Sequence, residues 1–276
     1  MNRIRRNFLE KLILDVLVIG GIFLMCLPFL KENIISLQLR STNLNISMEL
    51  PETIKKEEMI RIPTIRDVIE NHSRSVTGYG FVSIESLQIQ QPLLIGLTNE
   101  QLLKGGVVMF PERSLKEDNF VLLGHHLGRQ NLLFGRLTDA QTGMKIGVEY
   151  LGQTQQYTIT DIKIVKETEL SVIENQQSPL LTLITCPTPT QTDERLVITA
   201  ELDSIETNSN RLNEQEMQEM EYEHTHVGEQ TNQKKIQIQE QMWKEQSNSN
   251  WFVFFVILLV VSGALIIIHK LVDLPK

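Results

Sequence analysis

The sequence predicts a mainly β domain, a small barrel or sandwich with a few short helices, lying between two apolar segments. Between residues 75 and 203, short segments rich in Val, Ile, Thr, Tyr and Phe recur between turn residues, as in all-β domains. An apolar run lies near each end of the 276-residue chain. These features divide the chain into a tail with a first anchor, a linker, the β domain, a polar stalk, a second anchor and a short tail, at residues 1–30, 31–74, 75–203, 204–250, 251–268 and 269–276.

The two apolar runs predict transmembrane helices. Leu12–Leu30 follows four basic residues and is not followed by a small-x-small cleavage site, so we expect an uncleaved signal anchor. Trp251–Ile268 contains 18 residues without a charge, and its leading Trp is typical of the membrane interface. Because the arginine-rich N-terminus is expected in the cytoplasm, both termini are expected there, with residues 31–250 on the extracellular face of the cell membrane. Two buried core helices are the alternative.

Composition argues against several classes of function. The chain has 26 basic and 34 acidic residues, and its net charge of −8 argues against a nucleic-acid-binding face. Nine acidic and four basic residues lie between 205 and 250, so most of the excess charge belongs to a solvated stalk, either a charged helix or disordered. His224 and His226 in this stalk are interpreted as solvated side chains. Two cysteines are too few for a disulfide-stapled miniprotein or a multi-cysteine metal site.

The elements of the β domain follow from local patterns. Alternation of apolar and polar residues over Tyr79–Ile89 predicts a strand, although the alternation slips once at Glu85. Thr98 is expected to cap a helix that Gly105 ends. Apolar or alternating runs predict the remaining strands at Val121–Leu123, Lys145–Leu151, Gln156–Val165, Leu180–Thr185 and Arg195–Leu202.

Cys186 is the strongest candidate for a reactive residue. Cys26 lies in the first predicted anchor, so the extracellular part has a single cysteine. A free thiol in an oxidising compartment is a liability unless it is used, but a free cysteine also packs as a small buried hydrophobe. Cys186 ends an apolar strand and precedes Pro187, and residues that enter irregular loops are often presented at a cleft. Its position therefore favours a functional thiol.

Two further residue types complete a candidate catalytic set. A thiol nucleophile needs a partner that favours the thiolate, and His125 and His126 follow a second apolar strand after Gly124. Acyl transfer also needs a group that stabilises an oxyanion, and Arg195 opens the strand after Cys186 with a permanent charge. On residue type alone, a structural histidine and a surface arginine remain alternatives.

These motifs resemble those of the sortase family. Thr182–Cys186, which reads TLITC, together with Arg195–Ile198, which reads RLVI, is similar to the family signature TLxTC…R. Gly124–His126 resembles the family's histidine motif. Gly143–Ile146 and Tyr157–Ile159 resemble its Gly-x-x-Ile…Tyr-x-Ile stretch. The resemblance covers about residues 75–203.

The resemblance implies a fold and a site. The implied fold is a closed eight-stranded sortase-type β-barrel with a few short helices, flanked here by two transmembrane helices. The implied catalytic residues are Cys186 as nucleophile, His125 as general acid/base and Arg195 as stabiliser of the oxyanion or the substrate. Thr185 is implied to shape the substrate-binding site. His126 is the less favoured acid/base and a second substrate-binding candidate.

The resemblance also implies an activity and partners. Family members are cysteine transpeptidases of Gram-positive bacteria that cut an LPXTG-type sorting signal between Thr and Gly. They pass through a thioester and join the surface protein to an amine of lipid II or of a peptidoglycan cross-bridge. No cofactor or metal is expected, and no nucleic acid is an expected partner. Some members bind calcium through loop carboxylates, for which this chain offers Glu112, Glu117, Asp118 and Glu174 without predicting a site.

The role within the family stays open between two classes. A housekeeping, class A-like role is favoured because the chain lacks the Asp-Pro-aromatic lid motif of pilin-polymerising class C members. The second predicted anchor is typical of class C and keeps that alternative open. Outside the family, a membrane-anchored cysteine protease and a non-catalytic adhesion domain are the remaining hypotheses.

Overall fold

The computed structural model describes residues 42–54, 58–64, 66–67, 75–127, 132–176, 178–190 and 192–203, with isolated positions elsewhere. The chain divides into two compact units, residues 38–248, and residues 1–37 with 249–276. Every strand and helix discussed below belongs to the first unit. The predicted anchors and the stalk lie outside the described residues except at isolated positions. Within the described part of the chain, no helix is both long and apolar enough to cross a membrane.

The described residues form ten strands, one short α-helix and three 3-10 helices. The strands are β1 Asn43–Ile46, β2 Ser75–Gly78, β3 Gly80–Ile84, β4 Ile89–Ile95, β5 Gly106–Val108, β6 Asn119–Leu123, β7 Lys145–Tyr150, β8 Gln153–Lys166, β9 Leu180–Thr185 and β10 Glu194–Leu202. The α-helix is α1 Asn99–Leu102, and the 3-10 helices are Glu85–Leu87, Gly135–Asp139 and Leu170–Ile173.

Eight strands close into a barrel in the order β10-β8-β7-β3-β4-β5-β6-β9. Most neighbours are antiparallel, whereas β4 pairs with β5 and β6 with β9 in parallel. Parallel neighbours need a crossover connection, and α1 lies in the one between β4 and β5. The predicted closed eight-stranded barrel with few short helices is therefore confirmed. Outside it, β1 comes from the predicted linker and pairs in parallel with β2.

The barrel interior is filled by alternate side chains of its strands. Leu181 and Leu183 of β9 lie in the interior core with Ile198 of β10, because successive side chains of a strand point to opposite faces. Tyr157 of β8 is fully buried there, and its hydroxyl donates to the Leu115 carbonyl at 2.6 Å. This bond satisfies the one polar atom that the buried ring brings into the core.

The segment Tyr79–Ile89, predicted as one strand, contains β3, a 3-10 helix and the first residue of β4. A 3-10 helix at Glu85–Leu87 interrupts it where the alternation slips, and Gln88 turns the chain back with a φ of 51°. The returning strand, β4, is buried at all seven positions and therefore shows no alternation. Two polar residues, Gln90 and Gln91, also interrupt its apolar run, so the sequence pattern does not indicate a buried strand.

The predicted helix begins as expected and ends early. Thr98 Oγ1 accepts a hydrogen bond from the Gln101 backbone N–H at 3.2 Å, which caps the start of α1. The helix is a single turn that ends at Leu102, before Gly105. A Cβ at Gly105 would lie 2.5 Å from the Pro92 carbonyl oxygen, so this glycine permits a close approach to β4 and is not the cap.

Candidate active site

Three neighbouring strands of the barrel align the predicted catalytic residues. Leu123 of β6 pairs with Ile184 of β9, and the Gly124 N–H donates to the Ile184 carbonyl at 3.0 Å, which extends this parallel ladder. On the other side of β9, Leu196 of β10 pairs with Thr185. Continuing the two registers aligns His125, Cys186 and Arg195 in one row. Residues that are directly opposite on neighbouring strands project from the same face.

The row continues the outer face of the barrel. Val121, Ile184 and Val197 of the same three strands form a buried apolar cluster separate from the interior core. Phe110 and Val172, together with neighbouring residues of their loops, pack against it. We call Val121, Ile184 and Val197 the outer cluster. Partly buried side chains that pack against it, such as Leu123 and Val172, make this face of the barrel apolar.

The Cys186 thiol is partly buried and free of any disulfide. Burial raises the pKa of this thiol above its ordinary value, and the nearby charge of Arg195 lowers the pKa while that of Glu167 raises it. The net shift is upward. Burial thus favours the neutral thiol over the thiolate. A reaction at its sulfur needs a group that removes the proton.

His125 is buried, with 7% of its surface exposed. Its carbonyl accepts a hydrogen bond from the Phe134 N–H at 3.2 Å. The Phe134 ring lies so close to the preceding residue that a Cβ at Gly124 would be 2.3 Å from the ring. Glycine is thus required there to let the ring cover the end of β6. The Gly-His pair seen in the sequence has this packing reason.

His126 contacts the backbone of Cys186 directly. Its Nδ1 lies 3.1 Å from the Cys186 carbonyl oxygen. Because a carbonyl oxygen only accepts, Nδ1 carries a proton in this contact. Both predicted histidines are therefore associated with Cys186. His125 aligns with it in the row, and the His126 side chain contacts the Cys186 carbonyl.

Arg195 is held by three hydrogen bonds. Its Nη1 donates to the carbonyls of Thr192 at 2.8 Å and Glu194 at 2.7 Å. Its Nη2 donates to the carboxylate of Glu167 at 2.5 Å. Sequence reasoning did not find Glu167. No local pattern identifies this contact, because Glu167, just after β8, and Arg195 of β10 are 28 residues apart in the chain.

Thr185 faces the opposite side of β9 from Cys186. It is 3% exposed and shares its face with Leu183 and Leu196 of the interior core. Its Oγ1 is buried without a hydrogen-bond partner among the described residues. The side chain predicted to shape the substrate site therefore points into the barrel in this structure.

A buried asparagine holds the loop that contains the 3-10 helix Leu170–Ile173. This loop packs against the outer cluster, and we call it the wall of the site. Asn119, the first residue of β6, is 3% exposed, and its Nδ2 donates to the carbonyls of Val172 and Glu174 at 3.1 Å each. Its Oδ1 accepts from the Thr182 hydroxyl at 2.7 Å. These bonds fix the 3-10 helix Leu170–Ile173 against the strands that carry the row.

Arg113 supports the same wall from the other side. Its Nη1 donates to the carbonyls of Ile173 and Asn119 at 2.9 Å each. Its guanidinium carbon lies 3.7 Å from the centre of the Phe110 ring, a cation–π contact. The carbonyl groups of the wall thus accept hydrogen bonds both from the buried amide of Asn119 and from the guanidinium of Arg113. This pair was not evident from the sequence.

The calcium candidates named from the sequence are dispersed or otherwise engaged. Asp118 accepts from the Asn175 amide at 2.6 Å and from the Ser114 N–H at 2.7 Å. These bonds lower the pKa of its carboxyl. In the part of the chain that the structure describes, no group of three or more His, Cys, Asp or Glu side chains has the arrangement of a metal site.

Comparison with known proteins identifies the family. Residues 82–203 match the family model described as Sortase domain. Sortase A of Listeria monocytogenes is 30% identical over 210 residues, an alignment covering 72% of this chain and 93% of that protein. The chain belongs to the sortase family. Members of this family are transpeptidases, and the curated relatives of this chain include sortases A.

Solved sortase structures are also similar to this chain. The crystal structure of Listeria monocytogenes sortase A is 33% identical, with a TM-score of 0.45, and the match covers 46% of this chain and 88% of that one. The crystal structure of sortase C-1 from Actinomyces oris is 28% identical, with a TM-score of 0.42, covering 46% of this chain and 74% of that one.

Proposed function

We propose that this sortase is a membrane-anchored cysteine transpeptidase with a class A-like role, which joins surface proteins to a cell-wall precursor. The observation that carries the proposal is the alignment of His125, Cys186 and Arg195 at the ends of three paired strands. The raised pKa of the Cys186 thiol supports an active part for a neighbouring base.

In the first step the Cys186 sulfur attacks the carbonyl carbon of the peptide bond. His125 takes the thiol proton as the sulfur–carbon bond forms. Arg195 donates to the oxygen on which negative charge develops. When the carbon–nitrogen bond breaks, His125 returns the proton to the departing amine. The products of this step are a thioester on Cys186 and a free amine fragment.

In the second step an amine attacks the thioester carbonyl. Its nitrogen forms the new peptide bond, the carbon–sulfur bond breaks, and His125 passes the proton lost by the amine to the departing sulfur. Cys186 is then a thiol again. The same residues therefore serve both steps of acyl transfer. Whether the product is joined or hydrolysed depends on whether an amine or water reaches the thioester first.

The proposed donor is a surface protein with an LPXTG-type signal, cut between Thr and Gly. Apolar side chains of the signal would pack on the partly buried residues that cover the outer cluster, such as Val172 and Ile173. The proposed acceptor is the amine of lipid II or of a peptidoglycan cross-bridge. Two membrane anchors would hold the barrel on the extracellular face of the cell membrane, where the substrates are also tethered, and so raise their effective concentration.

Pilin polymerisation, the class C role, is the second candidate function. It is favoured by one feature, the apolar run at Trp251–Ile268, which predicts a second anchor. The two roles differ in the accepting amine. A lysine side chain of a second pilin is the acceptor in the class C role, whereas a cross-bridge or lipid-linked amine is the acceptor in the class A role.

The test uses the full chain in detergent micelles with an LPXTG peptide. Each reaction contains triglycine, a lysine-containing pilin-type peptide or no amine, and the products are followed by mass spectrometry. We expect a joined product with triglycine and a thioester adduct on the wild-type protein. Cys186→Ala should form neither. The matched pair His125→Ala and His126→Ala should separate the two histidines, with the larger loss at His125.

The outcomes separate the hypotheses. Joining to the lysine peptide alone would favour pilin polymerisation. Hydrolysis in every reaction, without any joined product, would favour a cysteine protease and contradict transpeptidation. Equal activity in wild type and Cys186→Ala would exclude Cys186 as the nucleophile.

A further inference from the structure

We propose that Glu167 is a positioning residue for Arg195, which orients the guanidinium so that two of its N–H groups stay available to the acyl oxygen. The inference rests on the proposed function, because it assigns how that reaction's cation is held. It concerns one ion pair between the end of β8 and the start of β10. The two side chains meet at 2.5 Å.

The hydrogen bonds of Arg195 leave a defined set of donors. An arginine has five N–H groups. Both groups of Nη1 are engaged by the carbonyls of Thr192 and Glu194, and one group of Nη2 is engaged by Glu167. Within the described residues this leaves Nε–H and the second N–H of Nη2. These are the groups that can serve a carbonyl oxygen beside Cys186.

Glu167 supplies the contact that the other two bonds cannot. The carbonyls of Thr192 and Glu194 belong to the segment that carries Arg195, so they move with it. Glu167 directly follows β8, the strand paired with β10, and its own N–H donates to the Asp193 carbonyl at 2.7 Å. Lys166, just before it, pairs in register with Glu194. The carboxylate therefore joins Arg195 to the end of β8, and among the described residues it accepts the one side-chain hydrogen bond that Arg195 makes outside its own segment.

Stability does not account for this pair. The Glu167 side chain is 52% exposed and that of Arg195 is 28% exposed. Ion pairs exposed to this degree contribute little to folding. Glu167 also opposes formation of the thiolate, because its charge raises the pKa of the Cys186 thiol. An acid at this position is thus unfavourable for the thiolate, and a benefit to Arg195 is the effect that offsets it.

The two effects of Glu167 have opposite signs and can be measured apart. Glu167→Gln removes the charge at constant shape, while Glu167→Asp keeps the charge on a shorter side chain. Glu201→Gln, on an exposed position near the far end of β10, is the matched charge control. Thiol reactivity is measured as the rate of Cys186 alkylation by iodoacetamide against pH. Acyl transfer is measured as kcat and KM with an LPXTG peptide and triglycine, using the full chain in micelles.

We expect Glu167→Gln to shift the alkylation profile to lower pH and yet to lower kcat by about tenfold, with KM little changed. Glu167→Asp should recover part of the lost kcat, and Glu201→Gln should match the wild type in both measurements. A faster thiol combined with slower transfer is not expected from a merely structural role, since local unfolding would change both through loss of the folded site.

A kcat for Glu167→Gln that is unchanged or raised would overturn the positioning role, because Glu167 would then act on the thiol alone. A fall in kcat shared equally by Glu201→Gln would also overturn it. Failure of the proposed function has a different signature. In that case the wild-type chain alkylates at Cys186 but forms no thioester and no joined product, and the positioning role falls with it.

Discussion

The two loops that border Cys186 are held in place by different means. The loop after β8 is fixed through buried groups, since Asn119 and Arg113 donate to the carbonyls of its 3-10 helix. The turn after β9 is tied at its far end by Lys166, whose Nζ lies 2.9 Å from Asp193, with both side chains more than half exposed. Buried hydrogen bonds cost their full desolvation when broken, whereas exposed ion pairs contribute little.

This difference suggests a division of labour around the row of His125, Cys186 and Arg195. The first loop presents Val172 and Ile173 to the outer cluster, so it forms a fixed apolar wall. The second loop joins Cys186 to Arg195, and the ion pair at its far end is open to solvent. A fixed wall suits recognition of one peptide signal. An exposed ion pair at the end of the turn restrains the turn little, which suits a segment beside a site that an acyl group and then an amine occupy.

The largest effect is expected from Asn119→Ala. The substitution leaves two loop carbonyls and the Thr182 hydroxyl without their buried partner, and we expect a loss of about 3 kcal/mol in the free energy of unfolding. Urea unfolding followed by circular dichroism measures it. Asn45→Ala, on an exposed position of β1, is the matched control and should change stability by less than about 0.5 kcal/mol. Equal losses in the two variants would break the comparison.

A smaller effect is expected from Arg113→Lys. The variant keeps the charge but cannot donate to the carbonyls of Ile173 and Asn119 in the same forked geometry, so we expect a loss of about 1–2 kcal/mol in stability. Because the wall contacts the outer cluster, KM for an LPXTG peptide should rise more than kcat falls. Steady-state kinetics measure this split. A fall in kcat at constant KM would show that the wall serves the chemical step instead of binding.

The comparison also shows where sequence reasoning succeeds and where it stops. His125, Cys186 and Arg195 were predicted from the sequence because each lies at the end of a strand and carries a chemical type that the proposed reaction needs, and the strand registers align them. The contacts of Arg113 with the wall and the ion pair between Glu167 and Arg195 were not predicted. Arg113 meets Ile173 across 60 residues, and Glu167 meets Arg195 across 28, so both contacts depend on strand pairing that no local pattern encodes.

Burial patterns set the same limit on the fold. Strands with one polar face, such as β7, were found by their alternation. The strands β4 and β5 were missed, because β4 is buried on both faces and β5 is three residues long. The inward orientation of Thr185 follows from its parity with Leu183 in β9. That orientation could have been deduced once the strand was known.

The acid dependence of stability should reflect the carboxylate of Asp118, which accepts a hydrogen bond from Asn175 in the loop after β8. Hydrogen bonds from the Asn175 amide and the Ser114 N–H lower the pKa of Asp118 below its ordinary value of 3.8. A carboxyl whose pKa is lower in the folded state contributes stability that is present above 3.8 and is lost as the pH falls through the folded value. Thermal unfolding between pH 6 and pH 2 should therefore show a shallower acid limb for Asp118→Asn. An unchanged limb would assign the loss to other carboxylates, such as Asp203, whose pKa is also lowered.

The smallest effect is expected at the exposed ion pairs of Lys166. This prediction tests whether the turn after β9 is held less firmly than the wall. Lys166→Met removes the ion pairs with Asp193 and Glu194 while keeping an unbranched side chain along β8. Because these groups are open to solvent, salt already screens their attraction, and the unfolding midpoint and kcat should match the wild type within error. Raising the ionic strength should likewise leave the wild-type kcat unchanged if the Lys166 pairs are not needed for turnover. A marked loss in Lys166→Met, together with a salt-sensitive kcat, would mean that the turn is held as firmly as the wall. The adjustment of the chain beside Cys186 would then have to come from the side chains of the row itself.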